Sequence, residues 1–278
     1  MLNRNRIAIL TSVMALAFGI VIAYHISIIR TDSGFLLPTQ QINIDYSVVT
    51  TTNSSSGLGV QNIQQLSRKT PDHQVESLNM VGGVVLDADF RWKDLSRLNA
   101  RWAHFLAADF SGARLQASDL RSAILIGANM SGALIQDSDL SGSNLTDAQL
   151  QNVDFSRTNL KDAELLRANL YGALMTNTNI VSANLAAADF EYANLYQADL
   201  SGSLLLDTNF QGANLAETKL QWARLDRTNF HNAELFGADF SNADLTSAFI
   251  SMDQLRQACG NKLTKMPKKF ENFSIRIC

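Results

Sequence analysis

Ala168-Asn169-Leu170-Tyr171-Gly172-Ala173-Leu174-Met175 decides the fold. A large apolar residue, Leu170, returns as Met175 after five places, and an alanine stands two places before each. The same beat runs from Phe90 to Ile250: all 33 positions divisible by five are apolar, and only Ala100 is small. From Ala103 to Ala248 the second position before each centre is Ala, Ser or Thr, except at Val153. Between that residue and the centre the chain most often places Asp or Asn, as in Ala108-Asp109-Phe110 and Ala238-Asp239-Phe240.

A period of five fits neither a helix, with about 3.6 residues per turn, nor a flat strand, with about two. On a helix the centres would scatter around the cylinder, and on a strand they would alternate between faces. A chain that turns a corner every five residues keeps every centre inside, and four corners close a coil of 20 residues. Neighbouring coils then pair as parallel strands about 4.8 Å apart. Large centres alternating with small second sites fill a narrow core, and each coil is stabilised mainly by its neighbours. Every twentieth residue forms a column, such as Phe90, Phe110, Met130, Leu150, Leu170, Phe190, Phe210, Phe230 and Ile250. These stacked aromatics read as core, not as a cofactor site. The first coil is rougher, with Lys93 and Leu98 at small sites and Ala100 at a centre. That suits an end coil, which needs a cap to cover open strands.

The run A-(D/N)-L-x-x resembles the pentapeptide-repeat family over about 165 of the 278 residues. The resemblance implies an all-β fold, a right-handed quadrilateral parallel β-helix of about eight coils and roughly 40 Å. It also implies a binding role, since some members resemble B-form DNA in size and charge and bind DNA gyrase as decoys. This chain departs from that pattern. Between Leu86 and Ile250 it has 20 acidic and 12 basic residues, a net of −8, while residues 251–278 add a net of +4. No loop breaks the five-residue phase. The expected partner is a protein of unspecified identity and not a nucleic acid; a decoy for gyrase is the alternative were the rod cytoplasmic.

The chain divides into a short tail (1–6), an apolar segment (7–29), a polar linker and N-terminal cap (30–85), the repeat (86–250) and a C-terminal cap and tail (251–278). Residues 7–29 carry no formal charge. As a transmembrane helix they would extend about 34 Å, enough to span a bilayer. Arg4 and Arg6 precede the span, and after Arg30 the next basic residue is Arg68, which places the N-terminus inside and the repeat outside. Two alternatives stay open: a cleaved signal peptide, since Ala15-Leu16-Ala17 resembles a small-x-small site, and a buried helix in a soluble protein. Ser, Thr, Asn and Gln dominate 31–81, which reads as a flexible tether. A short helix at 74–80 and an edge strand at 81–86 are expected beside the first coil.

Past Ile250, Ser251-Met252-Asp253-Gln254 has capping-box spacing and Gly260 marks a helix stop. Met252, Leu255 and Cys259 would share one helical face, suited to plug the rod. The run Ala258-Cys259-Gly260 with Thr264-Lys265-Met266-Pro267 resembles a tail of some bacterial pentapeptide-repeat proteins. The two cysteines, Cys259 and Cys278, form a candidate disulfide if the rod is exported; two free thiols are the alternative.

No catalytic arrangement is legible, and no cofactor or metal is expected. His25 lies in the apolar segment and His73 in the linker, while His104 and His231 are more than six coils apart. The Asp residues recur with the repeat and read as corner and surface groups. No phosphate loop, Ser-His-Asp set or nucleophile elbow occurs. The candidate interaction strip is one outward corner column, Leu106, Ile126, Leu166, Ala186 and Leu206, interrupted by Thr146. Trp102 and Trp222 face outward in another column. The protein is expected to be a non-enzymatic, membrane-tethered scaffold or interaction module.

Overall fold

The computed structural model describes residues 9–11, 15–17, 20–22, 25–27, 79–86 and 88–278. The corners of the repeat are β-turns in which a centre's carbonyl accepts the N–H three residues on, as Ala113 N to Phe110 O at 2.9 Å. At nearly every corner the second residue has positive φ, between 54° and 70°. None of the residues with positive φ is β-branched, because a branched Cβ is least tolerant of that region. Gly112 and Gly212 have a further reason: a Cβ there would meet the Trp92 ring at 2.2 Å and the Tyr192 ring at 2.6 Å.

Between corners, one residue on each of four sides bridges in parallel to the residue 20 positions later. Consecutive examples are Asp109↔Asn129, Arg114↔Leu134, Asp119↔Asp139 and Ile124↔Asn144. The result is a quadrilateral β-helix with its side chains sorted by position. Centres such as Phe105, Leu125, Phe155 and Leu165 are fully buried, as are the small residues two places earlier. Phe90 stacks on Phe110 with ring centroids 4.8 Å apart, and Phe190, Phe210 and Phe230 continue the same column at 5.0 and 5.6 Å. Buried hydroxyls at small sites find carbonyls one coil back: Ser138 Oγ donates to Leu115 O, and Thr158 Oγ1 to Ile135 O.

The coil starts earlier than the boundary at residue 86. Asn79 bridges Asn99, and Val84–Leu86 pairs in parallel with His104–Leu106. Met80 and Val85 extend the beat of five and are buried like later centres. Asn79 and Met80 are therefore in the ladder and not in the expected helix; the rest of 74–80 and most of the expected tether lie outside the described residues.

Residues 1–45 form a separate unit. Within it Ile9–Thr11 pairs antiparallel with His25–Ser27, and Ala15–Ala17 with Ile20–Ile22. The described residues of 7–29 are thus strands, not the expected helix, and β-branched Ile9, Thr11, Ile20, Val21, Ile22 and Ile26 suit that state. Among the described residues no helix is long and apolar enough to cross a membrane.

At the other end the beat continues further than the sequence reading placed it. A helix, Met252–Gln257 (α1), replaces one side of the next coil. Ser251 Oγ accepts from Gln254 N and Gln254 Oε1 from Ser251 N, a reciprocal capping box. Leu255 and Gly260 keep the five-residue phase, and both are buried. The helix stops at Gln257, so Cys259 is not on its face; it bridges Asp239 in the resumed ladder. One inserted residue then shifts the next bridge to Asp244↔Lys265. Met266, Phe270, Phe273 and Ile275 pack over the core from the tail.

Candidate functional site

The Asp and Asn residues on the flat sides have a local task. A side-chain oxygen commonly accepts the N–H two residues on, closing the corner: Ser111 N to Asp109 Oδ1 at 2.9 Å, Ser141 N to Asp139 Oδ1 at 2.9 Å. Side-chain amides then bridge coils, as Asn179 Nδ2 to Asn159 Oδ1 at 3.0 Å. Arginines pair with the corner acids one coil back, Arg157 with Asp137 and Arg167 with Asp147, while Arg227 and Asp207 do the same. Hydrogen bonds donated by Arg91 pull Asp89 down to about 2, and Arg121 likewise lowers Asp119. These carboxylates are held ionised, the opposite of what a general acid needs near neutral pH.

The two histidines of the repeat do not converge. His104 lies on the strand His104–Leu106 near the first coil, where burial lowers its pKa, and His231 is exposed at a corner near the last. His231 borders an open depression of about 470 Å³ with Gln211, Asn229, Phe249, Gln254 and Lys269. No carboxylate lines it, so no acid/base pair forms there.

The strip Leu106, Ile126, Leu166, Ala186 and Leu206 does align in one corner column, each residue half-buried. The strongly exposed apolar side chains are elsewhere. Trp92 is 80% exposed, and Trp102, Trp222, Tyr171, Tyr192, Leu174, Phe236 and Phe249 are also exposed. Tyr171 and Tyr192 meet edge to face with centroids 5.8 Å apart. Tyr171 is a first corner residue and Tyr192 the second corner residue one coil on. The sequence reading missed this pair because they occupy different columns; a 21-residue offset at one corner was the available signal.

Cys259 and Cys278 are joined by a disulfide, with Cα atoms 5.0 Å apart. Ladder bonds set Cys259: its N–H donates to Ala238 O and its carbonyl accepts from Phe240 N. Gly260 N donates to Arg276 O and Cys278 N to Gly260 O, which returns the tail onto the resumed coil. Among the described residues Asp239, Cys259 and Cys278 form the one group of three potential metal ligands, their ligand atoms all within 4.8 Å. Asp239, twenty residues before Cys259 and beside it in the ladder, went unnoticed as its neighbour in the sequence.

Four parallel ladders around a dry core, with turn-capping Asp and Asn, define a five-residue β-solenoid. The pentapeptide repeat region matches residues 143–220, and pentapeptide repeats (8 copies) match 87–121, 113–149 and 213–251. These matches run without a gap from residue 87 to 251, and the chain belongs to the pentapeptide-repeat family. Similar solved structures include HetL, a pentapeptide repeat protein involved in heterocyst differentiation regulation from the cyanobacterium Nostoc sp. strain PCC 7120. It is 27% identical over 79% of this chain and 100% of its own, with a TM-score of 0.34. QnrB1, a plasmid-mediated fluoroquinolone resistance protein, is 17% identical over 65% of this chain and 94% of its own, with a TM-score of 0.34. A pentapeptide repeat protein of the Arabidopsis thaliana thylakoid lumen is 28% identical over 43% of this chain and 71% of its own, with a TM-score of 0.21. No curated protein sequence matches the chain.

Proposed function

We propose that the protein is a non-enzymatic interaction module, a rod whose corners engage a protein partner, tethered to a membrane by residues 7–29 and held outside the cytoplasm. The observation that carries the interaction reading is the division of labour on the surface. Asp and Asn on the flat sides hold corners and ladders, whereas Tyr171 and Tyr192 stand exposed in contact with each other. Aromatic side chains of this kind anchor protein interfaces. The half-buried strip Leu106, Ile126, Leu166, Ala186 and Leu206 is the second candidate surface.

The tether rests on sequence: an uncharged 23-residue stretch flanked by Arg4, Arg6 and Arg30. A disulfide supports an oxidising compartment. The decoy reading needs dense negative charge on the rod, but Asp119, Asp137, Asp147 and Asp207 are paired with arginines.

Two measurements test this function. In intact membranes, an impermeant thiol reagent should label Cys259 and Cys278 from outside only after reduction; cytoplasmic labelling without reduction overturns the orientation and restores the decoy reading. A photoreactive phenylalanine analogue at Tyr171 or Tyr192 should give a discrete crosslinked species, and none from buried Phe155. No adduct from either tyrosine position removes this surface as the partner site.

A further inference from the structure

Asp239, Cys259 and Cys278 combine one oxygen and two sulfur ligands within 4.8 Å. The fold holds two of them in place. Asp239 and Cys259 are bridge partners in one ladder, and Cys259 is buried. The carboxylate is oriented from both sides: Ser241 N donates to Oδ1 at 2.8 Å and Gln221 Nε2 to Oδ2 at 2.6 Å. Such outer hydrogen bonds are what aim a metal-binding carboxylate. Cys278 is exposed, so a fourth position beside it opens to water. Two thiolates and a carboxylate suit a thiophilic divalent cation, and carbonyl- or water-preferring ions such as Mg²⁺ fit poorly.

We propose that these three side chains form a site for one zinc-class divalent ion, available when the Cys259–Cys278 bond is reduced. Tetrahedral Zn–S bonds of about 2.3 Å place two sulfurs about 3.8 Å apart, so the ion and the disulfide exclude each other. A small dithiol opens the bond: it loses two electrons and two protons and becomes a disulfide, while both cysteines become thiols. The cation then displaces both thiol protons and binds the thiolates and Asp239. Disulfide and ion are therefore alternative cross-links between the ladder and the returning tail. The proposal does not depend on the tether or on the partner surface.

The test uses the full-length chain, reduced with a dithiol, freed of it under argon and titrated with Co²⁺. We expect sulfur-to-cobalt charge-transfer absorption saturating at one equivalent, abolished by Zn²⁺ and absent from the oxidised protein. Asp239→Asn should weaken Co²⁺ binding by at least about tenfold, since loss of even an outer-shell partner has that effect. The variant keeps the fold, because Asn159 and Asn179 occupy the same ladder position, and an unchanged CD spectrum checks this. A reduced wild-type protein without the absorption overturns the site. An Asp239→Asn variant binding as tightly as wild type overturns it as well.

Discussion

Residues 99–250 and residues 251–278 build on the same lattice by opposite means. In the coils the ladder carbonyls are met by backbone N–H groups 19 residues earlier, as Leu165 N meets Asn184 O at 2.7 Å. Beyond Ile250 no regular coil follows, and single side chains take over. Gln254 Nε2 donates to both Phe230 O and Ala233 O, and Thr264 Oγ1 donates to Phe240 O. Leu255 supplies the last centre, and a disulfide holds the tail. Repetition makes the middle tolerant of variation on the outside and intolerant within. The end depends on a few residues that have no substitute elsewhere, which is how a one-dimensional fold stops without an open edge.

Breaking the middle should have the largest effect. Leu165→Asp buries an unpaired charge in a closed core and should cost more than about 4 kcal/mol, unfolding several coils in urea melts followed by CD. Opening the end should do less: Cys278→Ser removes a cross-link over 19 residues, costing about 3 kcal/mol at most. Hydrogen exchange should rise in 257–278 and remain slow at Phe155 if the two regions differ as described. Gln254→Met keeps the bulk of the side chain but strands Ala233 O, while Phe230 O retains its bond from Ala233 N; the cost should be about 1–3 kcal/mol, again read locally by exchange.

Acid should separate the surface network from the core. Asp89 is held at about 2 by Arg91, and arginines likewise lower Asp119, Asp137 and Asp147. A carboxylate lowered in the fold binds its proton more readily when unfolded. Its contribution is present above the unfolded value near 3.9 and is lost as pH falls toward 2. Melting temperature should therefore drop as pH falls from about 4 to 2, after a smaller decline below about pH 6.5 as His104, whose pKa burial lowers in the fold, protonates more readily in the unfolded chain. Screening keeps each pair's share small, since these side chains are largely exposed. The smallest effect is expected from Ile126→Lys with Leu166→Lys: half-buried corner residues should cost under about 1 kcal/mol in total, and unfolding would make the strip structural.

Much of this was legible. The beat of five predicted the buried centres, the small second sites and the coil of 20, because one inward position recurs per side. It also reaches Met80 and Leu255, which the boundaries at 86 and 250 leave out. The capping box at Ser251 and Gln254 was readable from local spacing. The length of α1 was not: ladder bonds to Ala238 and Phe240 draw Cys259 out of helical geometry.

The sequence by itself determined which residues face inward, since a five-residue turn leaves one large and one small side chain no other place. Tertiary structure alone decided what meets across coils and across the cap. Tyr171 with Tyr192, Asp239 with the two cysteines, and Gln254 with two carbonyls are pairings of residues 20 to 39 positions apart. Their contact depends on the stacking register and on an irregular last coil, and a local pattern carries neither.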